Sequence, residues 1–381
     1  METTHLTPAA FWNDAGIHVA LPPDRADEAA GLREFARDEL GAAGWCFFQT
    51  SGSEGQRKWV GLTKGALLTS ARAVNAHFGI TKRDHWLLAL PIHHVGGFGI
   101  LARSFVSGSQ VTKLEGKWDA RRFVQQCAAV EATLASLVPT QVFDLVAAQL
   151  VAPKSLRAVL VGGGATSHEL AQAAQQLGWP VCRTYGMTET ASQVAAQTEV
   201  GGEMEVLPIW EVSTDAEGVM TVRGGALARG YAVQEAGRWC WEPTDEGRGL
   251  RTRDRVQLWQ DGARRLLRFT SREANTIKIL GELVALEPIQ ARVEAIRLNL
   301  GMREGEAVIC DVPDERTEAK LALAVAAMDA ADAERLRAAL NQTLRPFEQV
   351  ESLHWLPAIP RSELGKVLLP DLRALLTSRR G

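Results

Sequence analysis

Residues 156–189 read LRAVLVGGGATSHELAQAAQQLGWPVCRTYGMTE. The run 156–161 has strand length, is apolar except for Arg157, and stops on three glycines. Ser167 stands where a helix N-cap belongs, and the helix it opens runs to Leu177 before Gly178 ends it. Pro180 begins a second apolar run, 180–184. A strand, a helix and a strand in so short a span make a βαβ unit, whose strands are parallel and covered on both faces.

The same alternation extends outward. Residues 44–49 (GWCFFQ) read as a buried strand, and 64–78 as a helix with Leu67, Ala71, Val74 and Phe78 on one face. A strand at 86–90 closes on Pro91. Asp119 caps a helix carrying Phe123, Cys127 and Val130, and a strand at 132–138 stops at Pro139. Residues 1–43 read as a short helical lead-in. After about residue 205 the pattern changes. Residues 211–222, with a turn at 215–218, read as antiparallel strands, and 229–270 add more strands and turns. From 276 a new unit begins: a strand near 276–280, a helix at 287–298, strands at 307–311 and 320–327, and a helix at 332–344. The expected fold class is α/β. A large domain, 1–272, holds a mainly parallel sheet with helices and a small β-rich subdomain; a small α+β domain, 273–381, follows.

The 381 residues suit two or three domains. Hydrophobic residues at 46% and charged residues at 23% exclude long disorder. Lys plus Arg number 42 and Asp plus Glu 45, a net charge of −3 that gives no electrostatic case for a nucleic-acid partner. Five scattered cysteines without a CxxC pair argue against a disulfide framework or a zinc site and for a reducing compartment. The N-terminus lacks the basic and apolar regions of a signal peptide. The most apolar stretch, 86–106, contains His93, His94 and Arg103, so no membrane insertion is expected, and the expected location is cytoplasmic. The chain has eleven Trp and only two Tyr, a skew that composition does not explain.

Four segments carry potential chemistry. Residues 50–58 (TSGSEGQRK) place hydroxyls, glycines and a Lys after a strand, a composition that can cradle phosphates or form a polar turn. The spacing is not that of a Walker loop. Gly162, Gly163, Gly164 and Ala165 lie between a strand and a helix, where glycine admits a flat ligand close to the backbone or makes a tight turn. A dinucleotide fingerprint would need glycine at 167, where Ser167 stands. Residues 185–190 (YGMTET) offer a ring to stack on a base, a hydroxyl for a phosphate and a carboxylate for Mg²⁺. Residues 90–97 contain His93 and His94, which on an extended segment face opposite sides and make no metal pair. Two later pieces are Thr252-Arg253-Asp254 and residues 360–367 (PRSELGKV).

The order of these pieces resembles the adenylate-forming superfamily of acyl-CoA synthetases, adenylation domains and luciferases. Residues 50–58 resemble its phosphate loop, 90–94 its LPxxH segment, 185–189 its YGxTE motif and 252–254 its TGD motif. Arg272, Ile277, Lys278, Gly281 and Glu282 resemble its hinge-and-loop segment, and 360–366 its terminal lysine motif. Within the superfamily, 185–193 (YGMTETASQ) and the preceding VLVGGGA are similar to the branch that ligates o-succinylbenzoate to CoA in menaquinone biosynthesis.

The resemblance implies an enzyme that activates a carboxylic acid with ATP and Mg²⁺ and passes the acyl group to coenzyme A. Thr50, Ser51, Gly52, Ser53 and Lys58 would hold phosphates. Gly162–Ala165 and Tyr185 would flank adenine, with Gly186 and Met187 beside them. Thr188 would touch the α-phosphate, Glu189 would hold Mg²⁺, and Asp254 and Arg272 would bind ribose. Lys366 would stabilise charge during adenylation. His94, Ser192 and Gln193 would line the acid pocket, and Lys278 and Gly281 would meet CoA once the mobile small domain rotates. A ligase for another acid, a carrier-protein acceptor and an inactive adenylate-binding protein are the alternatives. The chain departs from the pattern at Arg57, Arg253, Ser271 and Ala274. It also has fewer residues before the phosphate loop than the resemblance implies. Part of the N-terminal subdomain is then expected to be missing, with the acid pocket open on one side or closed by a second subunit of a homodimer.

Overall fold

The computed structural model describes residues 9–22, 25, 29–51, 57–164, 166–245, 247–302, 304–314, 316–362 and 365–378. Its largest element is an eleven-stranded sheet. Five strands are parallel, in the order Gln110–Lys113, His85–Leu88, Leu134–Leu137, Ala158–Val161, Val181–Tyr185. Their side chains alternate between two cores. Trp86, Leu88, Leu134 and Leu160 enter one, and Leu87, Ala135, Val159 and Val161 enter the other. Burial on both faces is why these strands read as unbroken apolar runs. The α/β class therefore holds.

The same sheet continues without a break into six antiparallel strands, from Ala195–Gln197 out to Trp210–Thr214. The β-rich part is thus an arm of the parallel sheet. A second sheet of five strands lies across one core: His18–Ala20, Trp45–Ser51, Arg57–Thr63, Gly230–Glu235 and Arg238–Pro243. Here two expectations are corrected. The strand read at 44–49 belongs to this mostly antiparallel sheet, because it pairs antiparallel with Arg57–Thr63. The helical lead-in contains, besides Ala9–Asn13 and Ala29–Asp38, the strand His18–Ala20, parallel to Trp45–Ser51.

The helices follow their caps. Asp119 Oδ1 accepts from Arg122 N at 2.8 Å, and Ser167 Oγ accepts from Leu170 N at 3.1 Å. The helix Val95–Ser107 carries three glycines in its first turns, each unfavourable by roughly 1 kcal/mol. Packing outweighs that cost, since Phe98, Ile100, Leu101 and Ala102 are all buried in the core beneath the five-stranded sheet. Gly97 is required: a Cβ there would sit 2.3 Å from the Pro91 carbonyl oxygen.

After Arg272 a single 3-10 turn, Glu273–Asn275, leads to a hairpin, Thr276–Ile279 with Glu282–Ala285, and then a three-stranded sheet. Helices Leu286–Asn299 and Ala330–Asn341 cover one face of that sheet, and Leu369–Ser378 covers the other. These cores are separate from those of the first 272 residues, except that Leu298 packs on the large core. Among the described residues no helix is long and apolar enough to cross a membrane.

Candidate active site

The C-terminal ends of the parallel strands gather the motifs along one edge of the sheet, where open α/β sheets bind ligands. Gly162 follows Ala158–Val161, the turn at Pro91–His94 follows His85–Leu88, and Tyr185 ends its own strand. Gly186 comes so close to the backbone beyond it that a Cβ would lie 1.7 Å from the Ser192 carbonyl oxygen. That approach folds the 185–193 segment into a tight knot. Thr190 Oγ1 accepts from Met187 N at 3.1 Å, and Trp210 Nε1 donates to Gln193 O at 2.9 Å. The knot holds Ala191 at φ 50° and Ser192 at φ 109°, conformations that cost of order 1–3 kcal/mol in non-glycine residues.

Tyr185 donates its hydroxyl to Asp254 Oδ2 at 2.7 Å. Burial, and then the Asp254 carboxylate, push that phenol well above its ordinary range, so it remains a donor. Arg272, the cross-strand partner of Asp254, clamps both carboxylate oxygens, at 2.6 Å from Nε and 3.0 Å from Nη2. Thr252 explains the rest of its motif. Its hydroxyl accepts from Asp254 N at 3.1 Å, while Arg253 between them is exposed, so a bulky residue at 253 does not enter the clamp.

The small domain reaches this clamp. Gly365, at φ 73°, approaches Thr140 so closely that a Cβ would lie 2.7 Å from its Oγ1. Ser362 N donates to Lys366 O and Gly365 N to Ser362 O, both at 2.8 Å. Lys366 keeps contact with solvent, although protein atoms crowd around its ammonium. Burial and the Arg272 guanidinium hold its ammonium below the usual lysine range, against the pull of Asp254 and Glu287. Lys366, Arg272, Asp254 and Tyr185 therefore form one electrostatic group drawn from both domains.

Glu189 lies in a 3-10 turn, and its Oε1 accepts from Tyr231 Oη at 3.2 Å. Burial raises its pKa. Lys58 Nζ bridges to Glu242 Oε2 at 2.9 Å and lies 5.5 Å from the centre of the Tyr231 ring. Thr50 is paired with Lys58 across the two antiparallel strands. Gly52, Ser53 and Ala165 fall outside the described residues, as do the side chains of Ser51, Arg57 and Ala274. Lys278 and Gly281 sit on the small-domain hairpin, whose tip, Leu280–Gly281, has φ of 53° and 83°.

His93 and His94 correct a local reading. They lie on a turn, with ring centres 4.6 Å apart, rather than on opposite faces of an extended segment. Among the described residues no group of three or more His, Cys, Asp or Glu could hold a metal alone.

Sequence reasoning did not single out Arg103 as a site residue. It is 2% exposed, and its guanidinium donates from Nη2 to Ser192 Oγ at 3.1 Å. Its Nε is buried without a hydrogen-bond partner. Gly99, one turn earlier, leaves it room: a Cβ there would be 3.3 Å from Nη2. Burial lowers Arg103 to about 10. The signal in the sequence was a cation inside the most apolar run of the chain.

Residues 42–232 match the model of the AMP-binding enzyme family, and the chain belongs to that family. It is 28% identical over 335 residues to a 2-succinylbenzoate–CoA ligase of Bacillus licheniformis, covering 84% of this chain and 67% of that enzyme. The corresponding ligase of Bacillus cereus is 27% identical over 368 residues, covering 92% and 73%. The o-succinylbenzoate CoA synthetase of Bacillus subtilis, solved with its acyl-adenylate intermediate, superimposes with a TM-score of 0.73 over 86% of this chain and 68% of that one. At 23% identity, that likeness speaks for the fold.

Proposed function

We propose that this protein is an AMP-forming acid–CoA ligase acting on 2-succinylbenzoate, the acid in its relatives' names, and that it serves menaquinone synthesis as the family resemblance implies. Arg103 carries the choice of acid. A buried guanidinium whose one hydrogen-bond partner among the described residues is the Ser192 hydroxyl suits a substrate with a second carboxylate, which would supply a charged partner. A monocarboxylic acid gives it none.

The chemistry follows from the charge layout. An acid carboxylate oxygen attacks the α-phosphorus of ATP, the bond to the bridging oxygen breaks, and pyrophosphate leaves. The barrier is the meeting of anions, so preorganised cations lower it. Lys366 is assigned to the carboxylate and ribose side, and the Tyr185–Asp254–Arg272 clamp to the ribose hydroxyls. Thr50, Ser51, Gly52, Ser53 and Lys58 are assigned to the phosphates, Thr188 to the α-phosphate, and Gly162–Ala165 to adenine. His94 immediately precedes the helix that carries Arg103 and is assigned, with Ser192 and Gln193, to the acid pocket. In the second step the CoA sulfur attacks the acyl carbon and AMP departs, with Lys278 and Gly281 assigned to CoA. Glu189 fits Mg²⁺ as a single recessed hard-oxygen donor, enough for an ion held mainly by nucleotide phosphates. Bound there, the ion would neutralise phosphate charge. With the chain divided at 272/273, the pivot is assigned to the Glu273–Asn275 turn.

Pyrophosphate release and thioester formation with 2-succinylbenzoate and benzoate test the reading. A kcat/KM at least ~10-fold higher for the diacid is expected, the scale of one charge-assisted contact. A monocarboxylate that matches or exceeds it would remove 2-succinylbenzoate as the substrate.

A further inference from the structure

The chain has only two tyrosines, and each donates its hydroxyl to a carboxylate of the candidate site: Tyr185 to Asp254, Tyr231 to Glu189. Twenty-two other aromatic positions, eleven Trp and eleven Phe, do without a phenol. Tyr185 falls in a motif already assigned. Tyr231 does not.

Its place in the five-stranded sheet is specific. Tyr231 lies on Gly230–Glu235, where it pairs with Val60 on one side and directly with Glu242 on the other. Lys58 pairs with Val233, two residues along, so Lys58 is the same-face diagonal neighbour of Tyr231. The three side chains line one face across three strands. The Lys58 ammonium lies over the ring and bridges to Glu242. The hydroxyl at the far end of the ring reaches Glu189, which belongs to the connection after the parallel strands of the other sheet. Just before Tyr231, Ala228 N donates to Glu189 O at 2.8 Å and Arg229 N to Gly61 O at 2.8 Å, tying the two sheets together at this point.

We propose that Tyr231 is a positioning residue that sets the spacing between the phosphate lysine, Lys58, and the metal carboxylate, Glu189, its ring fixing the first and its hydroxyl the second. The inference rests on the roles given to Lys58 and Glu189 above. Ring and hydroxyl act on different charges, so they can be removed separately. Tyr231→Phe keeps the ring and frees the Glu189 oxygen. Tyr231→Leu removes both.

The test is calorimetric binding of ATP with and without Mg²⁺, together with the Mg²⁺ concentration that half-saturates pyrophosphate release. Tyr231→Phe should leave Mg²⁺-free ATP binding within about twofold of wild type and raise the half-saturating Mg²⁺ roughly 10-fold, the scale of a hydrogen bond to a charged group. Tyr231→Leu should in addition weaken Mg²⁺-free ATP binding roughly two- to fivefold, the scale of an exposed cation–ring contact. Glu189→Gln serves as the reference and should raise the Mg²⁺ requirement at least as much as Tyr231→Phe. A melting curve like wild type for Tyr231→Phe separates positioning from general loosening. If Glu189→Gln raises the Mg²⁺ requirement and Tyr231→Phe does not, the proposal is overturned while the reading of Glu189 stands. If neither does, both fall.

Discussion

Replacing Arg103 by Met separates recognition from stability, because the two should move in opposite directions. In the free protein the guanidinium is buried with one hydroxyl as its hydrogen-bond partner among the described residues, and burial takes it from the ordinary arginine range down to about 10. That drop corresponds to roughly 3 kcal/mol against the charged form. A Met of similar length in the same apolar surroundings, beside Trp86 and Gly99, carries no such cost. Buried ions replaced by apolar side chains are often neutral or stabilising by about 1–4 kcal/mol. The free variant should therefore melt at the same temperature as wild type or a few degrees higher.

With substrate bound the balance reverses. A distal carboxylate would meet Arg103 in a dry site, where losing one partner of a charged pair costs about 3–5 kcal/mol. At 1.4 kcal/mol per factor of ten, kcat/KM for 2-succinylbenzoate should fall by roughly two to three and a half orders of magnitude. Benzoate, which lacks the distal carboxylate, should be turned over within about threefold of its wild-type rate, since it makes no contact with the lost charge. Steady-state kinetics on both acids and a calorimetric melt decide the matter. A variant that loses both acids equally and melts lower would refute the reasoning, and Arg103 would then be a structural arginine.

Lys366→Ala should lower acyl-adenylate formation ~10²-fold or more, while thioester formation from supplied acyl-adenylate survives; single-turnover kinetics of the two halves check this. Because burial and Arg272 depress Lys366, the alkaline limb of the adenylation profile should fall below the ordinary lysine value of 10.5, and the thioester half-reaction should not share it. Glu294, on the Leu286–Asn299 helix, is raised to about 7 by burial, with Arg297, Arg361 and Glu169 as its charged neighbours. The folded form then binds more protons than the unfolded chain between its ordinary 4.5 and about 7, so its stability contribution is lost as pH rises through that window. Glu294→Gln should remove this slope and stabilise the protein above neutral pH by up to roughly 3 kcal/mol, less where solvent reaches the carboxylate, as denaturant titrations on either side of the window would reveal.

The parallel strands were legible because burial on both faces leaves continuous apolar runs, and the capped helices because Asp119 and Ser167 advertise their ends. The helix Val95–Ser107 was not, because Gly96, Gly97 and Gly99 speak against a helix and only tertiary packing overrides them. With that helix unseen, the position of Arg103, one turn after Gly99, could not be inferred. Residues 50–58 were read as following a strand, and Trp45–Ser51 is that strand. That Lys58 lies on a second strand, Arg57–Thr63, with Tyr231 as its neighbour depends on a partner strand over 170 residues away in sequence, which local pattern cannot reveal. Asp254 and Glu189 were found through their motifs, but their tyrosine partners were not paired with them.

The ion pairs of the site fall into two kinds, and the difference bears on what each can do. Asp254 is buried and gripped twice by Arg272, with Tyr185 on the same carboxylate. Taking away one member of such a pair strands the other at about 3–5 kcal/mol, so a ligand cannot displace it and must bind to it as a unit. Lys58 and Glu242 are instead half-exposed, and a bridge of that kind is worth about 0–1 kcal/mol. An incoming phosphate can therefore take Lys58 from Glu242 at little cost, while the Tyr231 ring beneath keeps the ammonium from wandering. The fixed pair stands at the part of the site assigned to ribose, which must be gripped the same way in every cycle. The exchangeable pair stands at the part assigned to the phosphates, which must be gripped and then released as pyrophosphate.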